Sequence, residues 1–114
     1  MVVVLFATPI TPARADYLTK KEATVYAGET LAADFKTYYT EAYAVKLRCQ
    51  TRLSDMKVRC RPGWVIGDLV FWGKLTIRVR GEFYFPRYRI LRFDEYCAAV
   101  RHGHDCKRVY RWPR

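Results

Sequence analysis

Between Lys20 and Tyr43 the apolar positions recur at three- and four-residue steps: Ala23, Ala27, Leu31, Phe35, Tyr38, Tyr39 and Ala42. That period puts them on one stripe of a helix. Thr19 to Glu22, "TKKE", has the form in which a threonine caps a helix and a glutamate reaches back to it. Gly28 lies inside the run and costs roughly 1 kcal/mol relative to alanine there. The pattern therefore allows one helix over residues 20–43, or a short and a longer helix divided at Gly28. Tyr38, Tyr39 and Tyr43 continue the stripe and read as a face packed on a sheet, with a ligand platform as the alternative.

At Ala44 the period changes to two. Val45, Leu47, Cys49, Thr51 and Leu53 alternate with Lys46, Arg48, Gln50 and Arg52, and beyond Ser54-Asp55 the apolar Met56, Val58 and Cys60 alternate with Lys57, Arg59 and Arg61. Alternation of this kind marks half-buried strands, with Ser-Asp supplying the turn. Trp64 to Trp72, "WVIGDLVFW", is nearly continuous apolar and predicts a central strand bulged at Gly67. Gly73 predicts a further turn before Leu75, Ile77 and Val79 alternate with Thr76, Arg78 and Arg80; Gly81 predicts another before Phe83-Tyr84-Phe85. Pro86 interrupts the ladder, so the last strand, residues 87–93, is expected at an edge. Asp94 then caps a short helix, "EYCAAVR", stopped by Gly103, and a basic, aromatic tail follows from Cys106. The fold class is α+β: an N-terminal helix packed on an antiparallel β-meander of four to six strands, a short C-terminal helix, and disulfide stabilisation.

Composition narrows the setting. A chain of 114 residues has room for a single core, and 51% apolar with 16% aromatic residues argues against disorder. Residues 1–15, "MVVVLFATPITPARA", differ from the rest of the chain. They hold an apolar run, prolines, then Ala13-Arg14-Ala15 in the small-x-small form of a signal-peptide cleavage site. The basic start usual for such a signal is missing, as in one that begins further upstream. The expected division is a signal over 1–15 and one α+β domain over 16–114. The expected location is secreted or periplasmic. No apolar run approaches the ~20 residues of a membrane span.

Four cysteines in a small exported domain predict two disulfides. Cys49 and Cys60 stand symmetrically about Ser54-Asp55 and so face each other across the hairpin, with Leu47 and Val58 on the same side. Cys97 and Cys106 form the second pair. His102 and His104 lie between them, giving Cys-x4-His-x-His-x-Cys, for which zinc or copper at His102 and His104 is the weaker alternative. Crossed connectivities between the hairpin and the C-terminal helix are also open. No cofactor is expected.

Charge carries the functional expectation. Lys and Arg number 21 against 11 Asp and Glu, a formal charge of +10, with arginine twice as common as lysine. Arg48, Arg52, Lys57, Arg59, Arg78, Arg80, Arg87 and Arg89 fall at outward strand positions, with Tyr84 and Tyr88 as candidate neighbours on one open face. A one-sign field attracts polyanions, and guanidinium forks suit phosphate and carboxylate; the bland alternative is a solvated face serving solubility and edge protection. The expected function is non-catalytic binding of an anionic envelope component or polyanion: anionic lipid, lipopolysaccharide, acidic polymer or nucleic acid. The alternative is a secreted ribonuclease or toxin-like hydrolase, with His102 or His104, Glu82 or Glu95, and an arginine clamp. A third reading has the aromatic stretch Trp64 to Trp72 as a docking surface for a protein. No nucleophile motif, phosphate-binding glycine loop or dinucleotide fingerprint is present.

Overall fold

Thr19 caps the first helix as the "TKKE" pattern predicts. In this computed structural model, which describes residues 8–9, 17–102 and 104–113, the Glu22 amide donates to Thr19 Oγ1 at 3.0 Å. The Thr19 amide donates to Glu22 Oε1 at 2.9 Å. Helix α1 runs over Lys20–Phe35 and α2 over Thr37–Thr40. The break falls at Lys36, which has φ 52° and ψ −128°, and Gly28 lies within α1. A mid-helix glycine costs stability but keeps the backbone bonds; a residue at positive φ cannot continue a right-handed helix. Ala23, Tyr26, Ala27, Leu31 and Phe35 are buried along one stripe.

The sheet is built from β2 (Ala44–Ser54), β3 (Lys57–Ile66), β4 (Leu69–Arg80) and β5 (Phe83–Asp94), an antiparallel meander in spatial order β2-β3-β4-β5. Helix α3 spans Glu95–Arg101, with the Asp94 carboxylate accepting from the Cys97 amide at 3.0 Å. Strand β6 (Lys107–Trp112) pairs with β5 at Tyr88–Phe93, and the two-residue β1 (Thr8–Pro9) pairs with β5 at Phe83 and Tyr84. The architecture is the expected α+β one, with α1 packed on β2, β3, β4 and β5.

Several strand expectations are corrected. "WVIGDLVFW" is not one strand but the β3–β4 hairpin. Ile66 pairs with Leu69 across a two-residue turn in which Gly67 has φ 58°. Gly73 opens no turn: it is paired with Ile90 inside β4, where a Cβ would approach Ile90 Cα within 2.9 Å. The backbones come too close for a side chain, so the glycine serves packing. Strand β5 is not the edge and runs through Pro86, which falls in the interval of its outer side between the stretches paired with β1 and β6. The basic tail is itself the edge strand, β6.

The first hairpin is also shifted. Its turn is Asp55-Met56, with Ser54 paired to Lys57, and two irregularities, between Arg48 and Thr51 and between Arg52 and Ser54, restore the outer register of Arg48 with Arg61. The disulfide is nevertheless Cys49–Cys60, with Cα atoms 3.9 Å apart, the close approach of a non-hydrogen-bonded pair. The second disulfide is Cys97–Cys106, so neither crossed connectivity forms. Of the expected signal over 1–15, all but Thr8 and Pro9 lies outside the described residues, as does the Gly103 stop.

Between helix and sheet, the Phe35 ring meets Trp64 and Tyr110 at 5.2 Å and Tyr88 at 5.7 Å. Trp64 stacks on Phe71 with centroids 4.7 Å apart, and Tyr39 meets it edge-on at 5.1 Å. Burial pushes the Tyr39 hydroxyl above its ordinary pKa. Val58, Leu75, Ile77 and Ile90 complete the floor. Burial of side chains of this size stabilises by about 1.5–3 kcal/mol each. One face of the sheet is thus covered by α1 and the other is left open among the described residues.

Candidate anion-binding face

Strand parity assigns each side chain to a face. Tyr84, Tyr88 and Ile90 share the helix side: Tyr84 stacks on Tyr26 at 4.5 Å, and the Tyr88 hydroxyl donates to Asp34 at 2.9 Å. The tyrosines anticipated on the open face therefore belong to the core layer, while Phe83, Phe85, Arg87 and Arg89 turn outward.

Each of strands β2 to β6 carries three basic residues, and the only acidic one among them is Asp94, which caps α3. Arg52, Arg92 and Arg108 lie on the helix side; the other strand cations share the open face. Cross-strand register sets these in rows. Arg48 is paired with Arg61, Lys74 with Arg89, and Arg89 with Arg111. Cys60–Leu75 and Gly63–Trp72 pairing brings Arg61 beside Lys74. One row of cations, Arg48–Arg61–Lys74–Arg89–Arg111, therefore crosses all five strands. Neighbouring strands lie ≈ 4.7–4.9 Å apart, so this row is about 19 Å long.

Two shorter rows lie beside it, separated by roughly 7 Å along the strands. Arg59 is paired with Thr76 and Thr76 with Arg87; Lys57 is paired with Arg78 and Arg78 with Phe85. The Arg78 guanidinium stands 5.0 Å over the Phe85 ring. Among the described residues, no carboxylate neutralises the cations of these rows. They border two adjoining depressions that share Thr76, Arg87 and Pro113. One, of about 480 Å³, is edged by Lys57 and Arg78, and the other, of about 360 Å³, by Arg59, Lys74, Arg89 and Arg111.

No protein-family model, curated protein or solved structure matches this chain. The chemistry of the face rests on its own geometry.

Of the cations read from the sequence, Arg48, Lys57, Arg59, Arg78, Arg80, Arg87 and Arg89 are on this face. Arg52 is not: the irregularity after Arg48 reverses the parity, pairing Arg52 with Val58, a buried residue of the helix side. Its guanidinium donates to the carbonyls of Leu18 at 2.6 Å, Ser54 at 2.9 Å and Asp55 at 3.3 Å, and lies 4.5 Å over Tyr17. Lys74 at the centre of the long row and Arg111 at its end were not among the expected site residues. Lys74 follows the glycine read as a turn, and Arg111 lies in the basic, aromatic tail to which no strand was assigned. The alternation of Lys74 with Leu75 and of Arg111 with Tyr110 was the available signal.

The hydrolase cast does not assemble. His102 and His104 follow α3 and are exposed, whereas Glu82 lies in the β4–β5 turn at the opposite end of β5, a strand about 40 Å long. Glu95 is separated from His102 by the length of α3, about 10 Å. Cys97 and Cys106 bond each other, and among the described residues no three His, Cys, Asp or Glu side chains cluster to hold a metal. The stretch Trp64 to Trp72 is split between the faces: Trp64 is 2% exposed in the core and Trp72 is 40% exposed on the open face.

A larger depression, about 710 Å³, lies at the C-terminal end of α1 against β6, edged by Asp34, Lys36, Tyr88, Tyr110 and Trp112. Its tyrosine Tyr88 is already bonded to Asp34, and its charges are of mixed sign. It offers no set of like groups comparable with the open sheet face.

Proposed function

We propose that this protein is a non-catalytic binding protein for an anionic polymer or envelope component, held on the open face of its sheet. The carrying observation is the row Arg48–Arg61–Lys74–Arg89–Arg111, five like charges in register with no carboxylate beside them among the described residues. Cations directly opposite one another in a sheet oppose pairing, and an anion lying along the row relieves that repulsion. Guanidinium groups offer paired donors to phosphate, sulfate or carboxylate oxygens. A site outside the cytoplasm fits the two disulfides, and we take export as part of the proposal.

Retention on immobilised heparin tests it. The chain is expected to bind at about 0.1 M salt and to be released before roughly 0.5 M, because such contacts are screened and displace counterions. The double variant Arg87→Gln/Arg89→Gln is expected to elute at clearly lower salt, and Arg101→Gln, at the end of α3 and off the face, at the parent's position. Equal loss from both changes would mean that net charge, and not this face, governs retention. Failure to bind at low salt overturns the reading.

A further inference from the structure

The open face is not basic throughout. Beside the long cationic row lies a row of different chemistry: Gly63 is paired with Trp72, Trp72 with Leu91, and Leu91 with Val109. Beyond it Val65 is paired with Val70 and Val70 with Phe93. These two rows form one apolar block across β3 to β6, in which Trp72 and Val109 are 40% and 42% exposed. Gly63 contributes no side chain, and a depression of about 270 Å³ opens there between Lys46, Val65, Val70 and Trp72. The apolar block starts about 7 Å from the Lys74–Arg89–Arg111 row.

Cations and apolar residues therefore lie side by side on one surface, with Lys46 and Lys107 at the ends of the apolar rows. We propose that the ligand of this face is an anionic phospholipid surface: phosphates on the cationic rows, and the Trp72 block entering the interface beside them. The proposal rests on the anion-binding reading and names its substrate class. A linear polyanion such as a sulfated or uronic polymer has nothing to place against the apolar rows. A single-stranded nucleic acid takes aromatic faces interleaved with its phosphate contacts; here Val65, Val70, Leu91 and Val109 outnumber Trp72 and Phe93, and the cations of these rows, Lys46 beside Gly63 and Lys107 beside Phe93, stand at their ends. A second copy laid face to face opposes one basic band with another, which like-charge juxtaposition disfavours. A phospholipid joins a phosphate to acyl chains within a few ångströms, matching both halves. Indole side chains favour the membrane–water interface, and Lys and Arg side chains are drawn to an anionic leaflet. No described helix is long and apolar enough to cross a membrane, so on this proposal the chain lies on the surface.

The test uses the full chain with vesicles of phosphatidylcholine alone and of phosphatidylcholine with phosphatidylglycerol, read by co-sedimentation. Binding is expected only with the anionic lipid. The variant Trp72→Ser/Val109→Ser, which keeps every cation, is expected to lose at least tenfold in vesicle affinity while eluting from heparin with the parent. Should that variant misfold, quenching of the parent by acyl-brominated phospholipid gives the answer independently: quenching is expected, and most of it should vanish in Trp72→Phe. Heparin binding without vesicle binding, or vesicle binding indifferent to Trp72 and Val109 with no quenching, overturns the lipid assignment and leaves the anion-binding face. Tighter binding to a single-stranded oligonucleotide than to anionic vesicles at equal phosphate overturns it in favour of nucleic acid. Loss of both heparin and vesicle binding overturns the two readings together.

Discussion

The Arg52 guanidinium is held by three backbone carbonyls and covers the ring of Tyr17. These contacts, with the Leu18 amide donating to the Asp55 carbonyl at 2.8 Å, pin the chain entering α1 to the β2–β3 turn. Hydrogen bonds from a charged donor are worth ≈ 1.5–3 kcal/mol, but Arg52 is only half-buried and water recovers part of that. Arg52→Met is therefore expected to destabilise by about 1–2 kcal/mol, a drop of roughly 4–16 °C in Tm for a chain of this size, and to leave elution from heparin close to the parent's. A large loss of heparin affinity in folded Arg52→Met would put this residue back on the binding face. Sequence alternation alone assigns Arg52 outward; the irregularity that turns it inward has no glycine or proline to announce it, since Cys49, Gln50 and Thr51 all fit a regular strand. Arg92 is a second case on the helix side, its Nε buried without a hydrogen bond among the described residues. Parity counted back from the buried Ile90 identifies it, whereas counting charges does not.

Two glycines, each inside a secondary-structure element, do opposite things. At Gly28 in α1 the nearest atom to a new Cβ is Leu47 Cδ2 at 3.9 Å, an ordinary contact, and the helix backbone favours alanine. Gly28→Ala is expected to stabilise by about 0.5–1 kcal/mol. At Gly73 in β4 a Cβ runs into the backbone of β5 at Arg89 and Ile90, which no rotamer can relieve. Gly73→Ala is expected to cost at least about 2 kcal/mol, because β5 is fixed on both sides and overpacking cannot relax. Chemical denaturation of the two variants checks both signs, and stabilisation by Gly73→Ala would mean the strands are spaced more widely. Sequence alone reads Gly73 as a turn and leaves Gly28 either inside one helix or dividing two, since the pattern holds nothing to separate a glycine that breaks an element from one that sits within it. The same ambiguity hid the Gly67-Asp68 turn: apolar residues flank it on both sides, because Val65 and Val70 belong to the apolar block of the open face. What the alternation did carry was the parity of β3, of β2 as far as Arg48 and of β4 from Leu75, the capping of α1 and α3, and the partner of each cysteine. Seven of the eight expected cations are on the open face. Lys74 and Arg111 were missed because Gly73 was read as a turn and no strand was assigned to the tail from Cys106.

For the molecule as a whole, the basic face is a cost to folding that an anion bound as proposed would offset. Opposed like charges in a sheet destabilise by about 0.2–1 kcal/mol per pair, and the long row joins five cations over about 19 Å. At 0.01 M salt the Debye length is 30 Å and every member of that row feels the rest; at 0.15 M it is ≈ 8 Å and only neighbours interact. The free protein is therefore expected to gain stability between these salt concentrations, by several degrees in Tm. Arg89 stands at the crossing of two register pairs, with Lys74 on one side and Arg111 on the other. Arg89→Gln removes both repulsions while keeping a side chain of similar reach. Its melting temperature at low salt is expected to exceed the parent's by a few degrees, its gain on adding salt to be smaller, and its salt of release from heparin to be lower. Stability and binding then move in opposite directions at one position. A residue kept for solubility alone gives no such opposition, since losing it would raise stability without loss of a specific contact. A structural arginine gives the reverse sign, falling in stability at every salt concentration. If Arg89→Gln melts below the parent at 0.01 M salt, the row is not a strained charge array, and the observation that carries the proposed function is lost.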